Sequence, residues 1–186
     1  MFRMEDAVKY FRNHEGVVSH MYLDVVGLVT VGVGFLLSTA RSAHGLAFVR
    51  RDTGVLASDT EKAADWDAVR AQPKAKLAKS YKKFTQLDLP DSEIDRRLEQ
   101  LIADFVSTLR GRFPKFDSFP DKAQIGLLDM IYSLGPKGVF IGFPAFCAAV
   151  DAKDWKKCAR ECKRRNVSDS RNADLQQLFR DAASES

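Results

Sequence analysis

Glu15, Asp24 and Thr30 stand in a stretch, EGVVSHMYLDVVGLVTVGVG (residues 15–34), that is otherwise rich in apolar residues and glycine. Glu15 extends the apolar stripe Val8–Phe11 by one i+4 step and falls in the last turn of the helix carrying it. Partial burial and the negative end of the helix dipole both disfavour the ionised carboxyl, so a raised pKa is expected. A carboxyl that keeps its proton near neutrality is what a general acid needs. Taken alone, a solvated glutamate at a fraying helix end explains Glu15 better. Asp24 and Thr30 shift that balance. Each stands three residues from Gly27, so in a hairpin centred there they face one another, with Cβ atoms about 5 Å apart. A carboxylate beside a hydroxyl can hold one water between them. Gly32 and Gly34, on the side of Thr30, would leave room for a ligand against the backbone. The pairing depends on turn type, because a one-residue slip turns the side chains to opposite faces. An Asp and a Thr that merely flank a turn are the plainer alternative. Together, a proton donor and a water-holding pair are what hydrolysis of a sugar bond with inversion requires.

The elements that must position these residues follow from periodicity. Met4, Ala7, Val8 and Phe11 predict a short amphipathic helix ending at Gly16. Period two then takes over, with Tyr22, Asp24 and Val26 on one side of a strand. Leu28, Thr30, Gly32 and Gly34 share one side of the next. Residues 38–87 are less ordered, with a second small hairpin expected at Asp52-Thr53-Gly54 and a lysine-rich, helix-permissive run interrupted by Pro73. An insertion or lid is expected there. With Asp91 expected as N-cap, the stripe Ile94, Leu98, Leu101, Ile102, Phe105, Val106, Leu109 predicts a helix of about 20 residues, able to bridge two lobes. A helix over 121–134 is apolar almost all round and should end at Gly135-Pro136. Shorter helices are expected over 144–150, 154–165 and from about 170 onward. The expected fold is α+β and mostly helical. An N-terminal lobe (about 12–90) holds the sheet, a connecting helix spans about 91–110, and a helical lobe takes about 111–186 plus the first helix, all as one domain.

Composition sets the outer bounds. Of 186 residues, 45% are hydrophobic and 29% charged, the mix of a globular protein. No apolar run reaches the roughly 18 residues of a membrane span, and the amino terminus does not read as a signal peptide. Cys147, Cys158 and Cys162 are odd in number and read as buried or partly buried free thiols. Three dispersed histidines, at 14, 20 and 44, lack metal-site spacing, and neither metal nor cofactor is expected. The net charge of +4 favours acidic partners. Lys156, Lys157, Arg160, Lys163, Arg164 and Arg165 form a basic face opposite Trp155, Cys158, Ala159 and Cys162. That face is either simply solvated or drawn to an anionic wall.

The pattern Glu15-Gly16, Tyr22, Asp24, Gly27, Thr30, Gly32, Gly34 resembles the active-site segment of bacteriophage-type lysozymes, glycoside hydrolase family 24. The likeness resumes in LPDSEIDRRL, LLDMIYSLGPKGVFIGFPAF and DWKKCARECKRRNVSDSRNADLQQLF, covering residues 1–37 and about 88–180. The resemblance implies a lysozyme-like fold and cleavage of the β-1,4 bond between N-acetylmuramic acid and N-acetylglucosamine in peptidoglycan. It implies Glu15 as general acid, Asp24 as the carboxylate assisting water and Thr30 as the residue positioning it. Leu36, Tyr132, Phe143 and Arg171 match positions lining the saccharide cleft. Phe35 stands where some members have histidine, and Ser133 where a longer polar residue is common. The implied settings are a phage endolysin or an antibacterial effector domain. Either would be made in the cytoplasm and act in the periplasm or wall of a target cell. The effector would involve a delivery apparatus or parent protein and an immunity protein. Neither specific nucleic-acid recognition nor membrane insertion is expected. The competing readings are a non-catalytic basic module that binds wall or nucleic acid, and a lytic transglycosylase, against which the Asp24–Thr30 pair argues.

Overall fold

A computed structural model describes residues 2–165 and 167–185. The protein is α+β and mostly helical, 62% helix, with antiparallel sheets of three and two strands. It divides into two units, Phe11–Leu98 and Met1–Tyr10 with Glu99–Ser186.

The helix α1 (Met4–Glu15), whose Ala7, Val8 and Phe11 are buried as their helical spacing predicts, gives its residues up to Tyr10 to the second unit and Phe11–Glu15 to the first. Gly16 follows at φ +71°, a conformation that stops the helix. Three strands then form an antiparallel sheet in sequence order: β1 (Val18–Leu23), β2 (Val29–Gly32) and β3 (Phe35–Leu36). Their buried residues include Met21, Leu23, Val29 and Val31. The second strand is shorter than period two suggested, because Val33 and Gly34 form a turn and Gly34 joins no strand.

Gly32 was expected to leave room for a ligand. Its open side is instead filled by Phe35: a Cβ on Gly32 would lie 2.7 Å from Phe35 Cδ2, and φ is +69°. Phe35 is only 8% exposed and cannot swing clear. Gly32→Ala should therefore cost about 2–3 kcal/mol, from left-handed strain plus displacement of a core ring. Urea denaturation reads this directly, and a loss below about 0.5 kcal/mol would refute the packing argument.

Residues 38–87 form no lid over this unit; they are built into it. The turn expected at Asp52–Gly54 is present, closed by Gly54 N–H to Arg50 O (2.8 Å) and Arg50 N–H to Val55 O (2.8 Å). It follows β4 (Val49–Arg50), which pairs with β5 (Leu87–Asp88). Between them lie α2 (Asp59–Arg70), started by a Ser58–Glu61 capping box, and a 3-10 helix, Ala78–Phe84. Buried Asp65 of α2 accepts N–H bonds from Gln86 (3.0 Å) and Leu87 (2.9 Å). Trp66 Nε1 donates to Leu37 O (2.8 Å), and the His20 ring bonds Ala78 O (2.9 Å). The unit closes with the first turns of α3 (Asp91–Arg112), longer than the expected 91–110.

The second unit is all helical. It takes the rest of α3, then α4 (Asp121–Gly142), α5 (Pro144–Asp151), α6 (Trp155–Glu161) and α7 (Asp169–Ser184). The helix α4 is buried almost continuously from Ala123 to Ile131. Gly126 admits the ring of Phe179 from α7, where a Cβ would meet Cζ at 2.7 Å. The expected stop at Gly135 is a break, not an end: Gly135 takes φ 68°, ψ 167°, and a helix resumes from Pro136. That combination is open to glycine alone, and proline then starts the new segment without needing an N–H. The helix α6 ends at Glu161 and not at the expected Arg165. Arg164 consequently leaves the expected basic face and is 1% exposed. The three cysteines are free and buried. Burial pushes the Cys158 thiol up to about 12 and Cys162 up to about 11, so both remain neutral packing groups. No single helix among the described residues is long and apolar enough to cross a membrane.

Candidate active site

Glu15 is the final residue of α1 and is half-buried. Asp24 lies just beyond β1, in the turn to β2. Its Oδ1 accepts N–H bonds from Val26 (3.0 Å) and Leu28 (2.8 Å), and its own N–H reaches Leu28 O (2.9 Å). Oδ1 is thus spent on shaping the turn. Oδ2 has no partner among the described residues. Thr30 is 4% exposed, and its hydroxyl donates to Leu28 O at 3.1 Å, leaving oxygen lone pairs for a water.

The register corrects one expectation. Tyr22, not Asp24, pairs with Thr30, and Leu23 pairs with Val29. The turn is therefore centred on Val26 and not Gly27. Asp24 bonds across to Leu28. Asp24 lies outside both strands and is tied to Leu28, the residue before β2, two positions ahead of Thr30.

Thr30 also pairs with Leu36 of β3. Tyr22, Thr30 and Leu36 thereby make one row across the three strands on a single face. Leu36, named from the sequence as a saccharide contact, is 52% exposed at the end of this row. The residue that sequence reasoning left out of the site is Tyr22. Burial raises its phenol pKa, and the charges of Asp24 and then Glu15 push it in the same direction. Both carboxylates thus act on one phenol, which faces Thr30. The period-two placement of Tyr22 beside Asp24 was the available signal.

Tyr132, Phe143 and Arg171 belong to the other unit. The Tyr132 ring is half-buried, edge-on to Phe105 with centroids 6.2 Å apart. Phe143, at the start of α5, lines a cavity of about 710 Å³ with Leu134, Pro144, Lys163 and Arg165. Arg171 has an internal commitment: Nη2 donates to Asp129 Oδ1 at 2.8 Å, and its side chain is 16% exposed. Asp129, 0% exposed, also holds Arg164 Nη1 at 2.9 Å through Oδ2. Ser133 joins this network, accepting from Arg164 Nη1 at 2.6 Å. Arg171 and Ser133 are accounted for by a buried ion cluster. The described residues contain no group of three or more His, Cys, Asp or Glu side chains that could hold a metal ion.

No protein-family model matches the chain, and no curated protein matches it significantly.

Proposed function

We propose that the chain is a peptidoglycan hydrolase, a muramidase that cleaves the β-1,4 bond between N-acetylmuramic acid and N-acetylglucosamine with inversion. The observation that supports it is the strand register that sets Tyr22 opposite Thr30, with Asp24 two residues after Tyr22 and Glu15 closing α1 just ahead of β1, all within Phe11–Leu98; the charges of Asp24 and Glu15 both raise the Tyr22 phenol pKa. In this reading Glu15 transfers its proton to the glycosidic oxygen as the C1–O bond breaks. A water held by Asp24 Oδ2 and the Thr30 oxygen attacks C1 from the opposite face, and its proton passes to Asp24. Tyr22, its phenol pKa raised, stays neutral and adds no negative charge near Asp24 and Glu15. Exposed Leu36 and Leu28 supply apolar surface for a sugar face. The biological setting that follows is wall degradation, as an antibacterial effector domain or an endolysin, with an immunity protein as partner in the first case.

Products formed from purified peptidoglycan test the proposal. Inverting hydrolysis releases reducing N-acetylmuramic acid ends, first formed as the α-anomer, with one water gained per cut. Anhydro-muramic ends would show a lytic transglycosylase instead. Salt-sensitive binding without any product would leave only a basic wall-binding module.

A further inference from the structure

The turn that presents Asp24 has little side-chain anchorage of its own. Val25, Val26 and Leu28 are 85%, 64% and 43% exposed. The exception is Gly27, which is buried and takes φ +91°. Its cover comes from α2 and the chain just after it. Arg70, the last residue of α2, donates Nη1 to Gly27 O at 3.0 Å. The aliphatic stem of Lys74 lies over the glycine, where a Cβ would meet Lys74 Cδ at 3.2 Å.

Arg70 is used unlike its neighbours. Arg12, Arg50, Arg51 and Arg96 in the same unit each pair with a carboxylate. Arg70 makes no ion pair among the described residues, and its charge is directed at a backbone carbonyl. The helix behind it is fastened elsewhere, by the Ser58 cap, by Trp66 to Leu37 O, and by Asp65 to the amides of Gln86 and Leu87. A secured helix thus grips the middle of an exposed turn. The other side of that turn consists of the Val26 and Leu28 N–H groups that hold Asp24 Oδ1.

We propose that Arg70, assisted by Lys74, is a positioning residue that fixes the turn and so aims the Asp24 carboxylate at the attacking water. This rests on the reading of Asp24 given above. It assigns the segment after β4 a role as a brace for the catalytic turn. Displacing a reacting group by about 1 Å costs around a hundredfold in rate, so the grip on Gly27 bears directly on turnover.

Arg70→Met keeps the aliphatic stem and removes the donors. It should lower kcat for reducing-end release by about 10- to 100-fold, with KM within about twofold of wild type. Arg70→Lys, which restores a donor, should recover most of the loss. Arg41→Met, on the exposed 3-10 turn Ala40–Ala43, serves as the control and should match wild type. Amide hydrogen exchange gives a readout independent of activity. The Val26 and Leu28 amides should exchange about tenfold faster in Arg70→Met and at the wild-type rate in Arg41→Met. Unchanged exchange at these two amides overturns the brace, as does a wild-type kcat in Arg70→Met. If the wild-type protein releases no reducing ends, the hydrolytic reading falls, and exchange alone then decides whether Arg70 holds the turn.

Discussion

Glu15→Gln should reduce reducing-end release from peptidoglycan by about a thousandfold while leaving the fold intact, the scale expected when a positioned general acid is lost. Glutamine matches glutamate in shape and retains hydrogen-bonding capacity, so the half-buried end of α1 has no packing reason to rearrange. What it lacks is an acidic proton. Without one the leaving sugar departs as an alkoxide, and Asp24 and Thr30 cannot compensate from the water side. The variant carries a second signature. The charge of Glu15 contributes to holding the Tyr22 phenol above its ordinary pKa, behind burial and Asp24. Removing that charge should bring the Tyr22 titration down by a measurable step. Spectroscopic titration of the phenols, read against a Tyr22→Phe control, checks it. The sign is fixed by linkage: a phenol raised by folding contributes stability below its unfolded pKa, near 10, which is lost as pH rises through the folded value. Full activity in Glu15→Gln would eliminate the acid assignment. A Tyr22 titration identical to wild type would separate Glu15 from the site.

The second large effect concerns stability. Asp129→Asn should lower the unfolding free energy by about 3–5 kcal/mol, because it removes a buried carboxylate that serves two guanidinium groups. Asp129 and Arg164 each have fully buried side chains, and Arg171 is nearly so. With a neutral amide at position 129, the Arg164 charge stays inside the unit beside neutral acceptors, the main-chain carbonyl of position 129, Ser133 Oγ and Asn172 Oδ1. The Asn172 amide, which accepts from Arg164 N–H and donates to Arg164 O, cannot supply a negative charge. The same substitution should lower the Tyr10 pKa, which burial and then the charge of Asp129 hold up. Urea denaturation measures the first effect. A loss under about 1 kcal/mol would mean that the cluster is hydrated or compensated in solution, contrary to its burial.

Arg171 illustrates how a motif position and its energetic role can diverge. By resemblance it belongs near a saccharide, yet its guanidinium is engaged by a buried carboxylate 42 residues earlier in the chain. The basic face drawn from 156–165 shows the same limit. Assigning Arg164 to it assumed that the helix of Trp155 continued. The helix stops at Glu161, and a residue past its end is free to turn inward.

The amino-acid sequence by itself determined the mostly helical α+β class and the end of α1 at Glu15. It likewise determined the existence of a hairpin after Gly16, the long helix from Asp91, the buried run Ala123–Ile131 and the burial of three thiols. Each is a consequence of local periodicity, of a glycine at a stop, or of apolar content, all of which act within a few turns of chain. Tertiary structure decided the rest. The hairpin register depends on where its turn closes, and Asp24 Oδ1 captures the Val26 and Leu28 amides to centre it on Val26. The glycine-rich strand end serves Phe35, because the ring of a residue three positions on occupies the space. The pairing of Asp129 with Arg164 and Arg171, and the hold of Arg70 on Gly27, join residues tens of positions apart through side chains with no periodic trace. Periodicity assigns a residue to a face of its own element, whereas the partner it meets there depends on how separate elements close around it.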